Sequence, residues 1–332
     1  MQQIRENFWV NSTVLKEVEE FLSQWNSGSE YIVAQTSGST GNPKLIKLPK
    51  SGLRFSAQNT IQFFNLNENS KALLCLPLTT IGAKMMIVRA IKCKMTLYID
   101  KSSSNPLLER DEKFDFVAVT PMQLTNMLNE SLDKVHEIKS ILVGGAPMNE
   151  NLISQLRDEN ITVYHSYGMT ETASHVALKK VGFEMDEYYQ AMPGIRFEYG
   201  KNQTLKIHYL ALDNKPIDTT DQVELLDENR FVWLGRNDFV VNSGGIKIQV
   251  EEIESKLSNL IGFPFFVFGI YDTYLGEKLI LCIETSEKEL SFDFEFLGVK
   301  KPREVYLLNH FVYTKSGKLD RKATVNQLKL NQ

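Results

Sequence analysis

Cysteine is scarce in this chain: Cys75, Cys93 and Cys282 are the only three in 332 residues. None stands in a Cys-x-x-Cys spacing, so neither a disulfide framework nor a zinc site is expected, which suits a reducing compartment. An excess of one charge is missing as well, with 37 Lys and Arg against 41 Asp and Glu and a formal net charge of −4. So even a balance argues against an electrostatic footprint on nucleic acid or on an anionic membrane. No apolar run approaches the roughly 18 residues that a membrane span needs. The opening MQQIRENFWVNS lacks the apolar core of a signal peptide. Internal repeats and low-complexity stretches are absent too. These absences predict a cytoplasmic protein without nucleic-acid partners, in which any bound anion is met by local groups.

The rest is ordinary globular chain, 23% charged and 42% hydrophobic, long enough for one large domain or two smaller ones with a sizeable core. Val14, Leu15, Val18, Phe21, Leu22 and Trp25 recur at helical spacing, which predicts an amphipathic opening helix. Residues 31-YIVAQT-36 read as a strand and 53-LRFSAQNTIQFFNL-66 as a helix. The alternation continues through strand 72-ALLCLPL-78, helix 84–92, strands 95–99 and 115–120, helix 121–131 and strand 138–145. Strands alternating with helices predict an α/β domain with a mostly parallel sheet, whose ligands gather at strand carboxyl ends near Thr36, Thr120, Gly144 and Tyr167. After about residue 195 short strands such as 204-TLKIHY-209 and 223-VELL-226 succeed one another with turn signals between, and helical spacing returns only at 250-VEEIESKLSNL-260. Strand, turn and strand follow at 265–284. The chain is therefore expected to divide near Asp238, into a large N-terminal domain, 1–237, and a small α+β domain, 238–332.

Thr36, Ser37, Gly38, Ser39, Thr40 and Gly41 crowd ahead of Pro43 and Lys44. A loop so rich in Gly, Ser and Thr turns backbone N–H groups and hydroxyls toward one point, and Lys44 adds a cation at its edge. It is either an anion cradle or a solvated turn. A mononucleotide P-loop is excluded, because counting from Gly38 the second glycine position of GxxxxGK[ST] falls on Pro43. Farther on, 164-YHSYGMTETA-173 reads as a strand ending at Tyr167-Gly168, where Gly permits a sharp turn, followed by Thr170 and Glu171. A carboxylate beside a phosphate loop needs a cation between them, which makes Glu171 a candidate Mg2+ ligand. Thr170 and Glu171 suit a helix start equally well.

Six motifs then occur in order: TSGSTGNPK, GGAP at Gly144 to Pro147, YGMTE, Thr220-Asp221, 235-GRNDFVVNSGGIKI-248 and 313-YTKSGKLDRKA-323. In that order they resemble the adenylate-forming superfamily of acyl-CoA synthetases, luciferases and peptide-synthetase adenylation domains, over nearly the whole chain from Tyr31 to Ala323. The resemblance implies ATP, Mg2+ and CoA as the small molecules bound beside a carboxylic acid. Thr36 to Gly41 with Lys44 would hold the β and γ phosphates; Gly144, Gly145, Ala146 and Pro147 with the ring of Tyr167 would sandwich adenine. Thr170 would touch the α phosphate, Glu171 would carry Mg2+, and Asp221 would take the ribose hydroxyls beside Arg236. Lys318 is the implied catalytic lysine, and Asp238 the hinge about which a mobile C-terminal domain swings. Ser243, Gly244 and Gly245 would line the CoA tunnel. Lys247 stands where many relatives carry Arg, which weakens any bidentate contact there. Relatives commonly carry a long α/β region before the first loop, where 35 residues stand here.

The chain resembles most the o-succinylbenzoate-CoA ligases of menaquinone synthesis, through 76-LPLTTIGAKMMIVRAI-91 and 165-HSYGMTETASHVALK-179. Arg89 lies in an apolar stretch, where a cation is costly unless paired. It either snorkels to the surface or meets a second carboxylate on the substrate. Thr80, His165, Ser166 and Gly168 are expected to complete the acyl pocket. Another aryl or short-chain acyl-CoA synthetase, a carrier-loading adenylation enzyme and a nucleotide-binding protein without catalysis remain open readings. The oligomeric state is open as well, a homodimer included.

Overall fold

The computed structural model describes residues 1–35, 44–212, 215–236, 240–258, 260–313 and 319–330. The first elements are β1 (Gln2–Arg5), β2 (Phe8–Val10) and α1 (Leu15–Asn26), whose buried face carries Val18, Phe21, Leu22 and Trp25. A separate two-stranded ribbon, β3 (Tyr31–Gln35) and β4 (Leu45–Pro49), leads into α2 (Lys50–Phe63). There follow β5 (Lys71–Leu74), α3 (Ile81–Cys93), β6 (Thr96–Ile99), β7 (Phe116–Val119), α4 (Pro121–Glu130) and α5 (Leu132–His136). Then come β8 (Ser140–Val143), α6 (Glu150–Asp158) and β9 (Thr162–Met169).

Strands β2, β6, β5, β7, β8 and β9 are parallel neighbours in that order. All but β9 are short and mostly apolar, and β7 is buried at all four positions, as a sheet covered on both faces requires. The helices start on chemical signals. Thr120 caps α4 in a reciprocal capping box with Gln123, and Pro121 opens the first turn. Beyond β9 the same sheet turns antiparallel through β10 (Ser174–Gly182), β11 (Tyr189–Ala191), β12 (Ile195–Tyr199), β13 (Thr204–Tyr209), β14 (Ile217–Asp227) and β15 (Arg230–Arg236). Across it the order runs β10, β11, β15, β14, β13, β12, which makes 13 strands in all. The change of texture near residue 195 falls within this antiparallel part. The two faces of the sheet carry two separate cores, one around Phe8, Leu53, Met86 and Phe231 and the other around Val117, Leu124 and Val143.

A second sheet begins at Val240. Its strands are β16 (Val240–Ser243), β17 (Ile246–Gln249), β18 (Phe265–Asp272), β19 (Gly276–Glu284) and β20 (Glu304–Leu308), accompanied by α7 (Val250–Leu257) and α8 (Arg321–Leu330). It has its own apolar clusters, around Ile253 and Leu281 and around Phe266 and Phe311. Where the sheets meet, Glu251 of α7 accepts from the Arg236 backbone N–H (3.2 Å), and Gln249 Nε2 donates to the Arg236 carbonyl (3.1 Å). Asp238 lies outside the described residues.

Candidate active site

Two described loops leave the carboxyl ends of neighbouring parallel strands, Gly144–Pro147 after β8 and Thr170–Thr172 after β9. The Gly144 N–H donates to Val119 of β7 (3.0 Å), and β8 runs beside β9 with Val143 opposite His165. Gly144–Pro147 therefore leaves the sheet over the last residues of β9. Ser166 donates its hydroxyl to the Val143 carbonyl (2.9 Å), and a Cβ on Gly144 would stand 2.5 Å from that hydroxyl. Gly145 follows at φ +88°, a conformation that glycine adopts without strain. His165 Nε2 lies 3.1 Å from the Ala146 carbonyl, and its Nδ1 lies 2.8 Å from the Tyr189 hydroxyl. Burial is the main cause that lowers the His165 pKa to about 4.

The strand does not end at Gly168 as the sequence suggests. β9 continues through Met169, and Gly168 pairs with His175 of β10. A Cβ there would stand 2.2 Å from the Ser174 carbonyl oxygen, so glycine is required by the close approach of two strands rather than by a turn. The turn comes afterwards, at Thr170–Thr172, and ends with Ala173 at φ +62°. Thr170 is buried on it and Glu171 is exposed.

Tyr167 reaches across to the antiparallel strands. Its hydroxyl donates to Asp221 Oδ2 (2.6 Å), and the Trp233 indole N–H donates to Asp221 Oδ1 (3.1 Å). Burial, and then the negative charge of Asp221, raise the Tyr167 pKa well above the usual range. An ionised carboxylate offers about four acceptor positions. Two donors from the protein leave two for a ligand, the number that a pair of vicinal hydroxyls needs. Asp221 pairs across the ladder with Arg236, whose guanidinium donates to Thr220 Oγ1 (2.9 Å).

Arg89 is 1% exposed, so it does not snorkel. It lies behind the Thr170–Thr172 turn, where Nη2 donates to Ser174 Oγ (3.1 Å) and Nη1 meets Met86 Sδ (3.6 Å). Among the described residues its Nε has no hydrogen-bond partner, and no carboxylate lies within ion-pair distance. Burial lowers its pKa to about 9. His175 beside it is held neutral, its pKa well below the usual range through burial and then through the charge of Arg89. Its Nε2 lies 3.3 Å from Thr60 Oγ1. Thr80 caps α3, accepting from Ala83 N (3.3 Å) and donating to the Pro77 carbonyl (2.8 Å). Two shallow cavities, about 280 Å3 beside Leu76–Thr79 and about 250 Å3 between Phe63, Tyr164 and Tyr188, are lined by neither Arg89 nor Asp221.

Ser243, Gly244, Gly245 and Lys247 belong to the second sheet. Gly244 and Gly245, at φ +59° and +82°, form the two-residue turn between β16 and β17. The Gly244 N–H donates to the Leu275 carbonyl (2.8 Å), tying that hairpin to the next. Lys247 is exposed, as is Lys44 at the start of β4. Thr36, Ser37, Gly38, Ser39, Thr40, Gly41 and Lys318 lie outside the described residues. Among the described residues no three His, Cys, Asp or Glu side chains form a metal cluster. Exposed Glu171 still fits Mg2+, which takes one or two carboxylates and completes its shell with phosphate and water oxygens. Tyr189, Trp233 and His175 escaped the sequence reading, since their roles come from residues brought together across strands.

The half-parallel sheet thus brings the Gly144–Pro147 loop, the ring of Tyr167 and the buried Asp221 carboxylate close together, in the motif order that resembles the adenylate-forming enzymes. The chain belongs to the AMP-binding enzyme family, whose model matches residues 11–197. A 2-succinylbenzoate–CoA ligase from Oceanobacillus iheyensis is 26% identical over 88% of this chain and 68% of its own length. An acyl-CoA synthetase (AMP-forming)/AMP-acid ligase II-like protein from Dyadobacter fermentans is 34% identical, with 98% of this chain and 96% of that one covered and a TM-score of 0.64. The o-succinylbenzoate–CoA synthetase of Bacillus subtilis, in complex with ATP and magnesium, matches 96% of this chain and 79% of its own with a TM-score of 0.76. At 19% identity that likeness speaks for the fold alone. No helix among the described residues is long and apolar enough to cross a membrane.

Proposed function

We propose that the chain is an AMP-forming acid–thiol ligase whose acid is o-succinylbenzoate, acting in menaquinone synthesis in the cytoplasm. A carboxylate oxygen of the acid attacks the α phosphorus of ATP and pyrophosphate leaves; the CoA sulfur then attacks the acyl carbon and AMP leaves. The first step brings two anions together, so cations must offset charge that grows toward the transition state. Lys44 and Thr36 to Gly41 hold the departing pyrophosphate, and Lys318 supplies the mobile cation. Glu171 would hold Mg2+, which when bound neutralises phosphate charge. Gly144–Pro147 and Tyr167 take adenine, and Asp221 takes the ribose. A small domain from Asp238 onward swings between the two steps and presents Ser243–Gly245 to CoA.

The single observation that favours a dicarboxylic acid is Arg89. A buried guanidinium without a described carboxylate is costly in the empty protein, and a second carboxylate on the substrate offsets that cost. Its position behind the turn of Thr170 and Glu171 supports a place near the reacting acid. The test is a pyrophosphate-release screen of aromatic, short-chain and dicarboxylic acids, with and without CoA. We expect o-succinylbenzoate to be the best substrate and its thioester to form only with CoA. Arg89→Met should raise KM for that acid at least tenfold and leave KM for ATP within twofold. Equal rates with monocarboxylic analogues would refute this choice of acid, and release without thioester would favour a carrier-loading enzyme.

A further inference from the structure

We propose that Tyr189 and His165 are a positioning pair that holds the Gly144–Pro147 loop, and through it the purine base of the nucleotide. The proposal rests on the reading of that loop as the adenine site. The Ala146 carbonyl can only accept, so the Nε2 facing it at 3.1 Å carries the hydrogen. Half-buried and neutral, the imidazole has no second hydrogen, so Nδ1 is an acceptor and the Tyr189 hydroxyl at 2.8 Å donates to it. One tautomer therefore satisfies both contacts, and Tyr189 selects it. His165 has no ring nitrogen left for an acid, which separates it from the acyl-pocket role suggested by its place in the motif.

Tyr189 is itself held firmly. It is 6% exposed and stacked on Phe231 at 5.2 Å. Tyr167, whose hydroxyl binds Asp221, packs against its edge at 5.9 Å, and the Lys179 ammonium lies 5.1 Å from its ring centre. The base loop and the ribose carboxylate are thus braced by one aromatic cluster. At the other end of the loop Ser166 binds the Val143 carbonyl. Gly145 to Pro147 are otherwise exposed, so the His165 contact is what limits their movement when the site is empty.

Calorimetric titration of the full chain with ATP and with inorganic tripolyphosphate tests the pair. Removing one neutral hydrogen bond changes an equilibrium by about three- to tenfold. His165→Phe, which fills the ring volume without a donor, should weaken ATP by about tenfold and leave tripolyphosphate unchanged. His165→Gln, whose amide can still donate to Ala146, should recover ATP binding to within about threefold. Tyr189→Phe, which loses only the hydroxyl, should weaken ATP by about threefold. Equal ATP affinity in wild type and all three variants would overturn the pair while leaving the adenine reading intact. A parallel loss of tripolyphosphate would overturn it too, by showing general damage. A wild-type protein that binds ATP no better than tripolyphosphate would overturn the adenine reading and the proposal with it.

Discussion

Asp221 holds two protein donors and retains room for two more, which makes its charge as important as its shape. In Asp221→Asn the amide oxygen can still accept from the Trp233 indole while the NH2 donates to the Tyr167 hydroxyl, so two charge-assisted hydrogen bonds become neutral ones and acceptor positions open to a ligand are lost. We expect a loss of about 1–3 kcal/mol in stability and at least tenfold weaker ATP binding, measured by thermal melts and calorimetry. His175 gives a pH signature. Its folded pKa lies well below the ordinary His value of about 6.5, so the unfolded chain binds the extra proton as pH falls past 6.5. The contribution of a neutral His175 is complete above pH 6.5 and fades as acid is added. Glu251 works in the opposite sense, because burial raises its carboxyl to about 7 and its contribution fades as pH rises from 4.5 to 7. Comparing wild type with His175→Gln cancels that term. The variant should lose less stability than wild type between pH 7 and 5; an identical pH dependence in the two would mean that His175 has the same pKa in the folded and the unfolded chain. Motif order singled out Tyr167, Asp221 and Glu171 as candidates, whereas Trp233 and Tyr189 could not be read from it. A strand ladder can place any two residues side by side, and spacing along the chain does not record which.

At the scale of elements, the β9–β10 pair shows where local reading goes astray. Glycine after Tyr167 suggested a turn, because chain reversal and close strand approach demand the same residue. Only the position of Ser174 decides between them. Gly168→Ala should cost about 3 kcal/mol, at the upper end of overpacking penalties because backbone atoms of β10 must move. Urea unfolding measures it, and a loss under 1 kcal/mol would mean that the strands separate easily. The apolar stripes of α1 and α4 were legible, whereas α6, short and mostly polar outside Leu152, Ile153 and Leu156, was not read despite its Asn149 cap. The β8 strand was legible as an apolar run, and β9 only as a strand ending near Tyr167-Gly168. In the antiparallel half the strands at 204–209 and 223–226 were legible and the others were not, since short strands of mixed polarity carry a weak period and their neighbours in the sheet are distant in sequence. The order β11, β15, β14 could not be read from them.

At the scale of the whole molecule, two sheets with separate cores meet around Arg236, Gln249 and Glu251. This is the arrangement that a swinging C-terminal unit requires, and the proposed boundary at Asp238 falls between the last strand of one sheet and the first of the other. If Lys318 serves adenylation alone, Lys318→Ala should lose roughly 3 kcal/mol of transition-state stabilisation in pyrophosphate release. Thioester formation from synthetic acyl-adenylate should remain within about threefold. Equal losses in both half-reactions would refute the division of labour. The ordered motifs by themselves determined the family and the chemical kinds of group at the site, because an acid, a phosphate and a ribose each call for particular residue types within short segments. Only the tertiary structure decided that Arg89 is buried rather than exposed, that Gly168 serves a close crossing, and that His165 faces the Gly144–Pro147 loop. Those outcomes depend on which strands and helices lie against each residue, and burial and hydrogen bonding across a sheet are properties of neighbours the chain does not name.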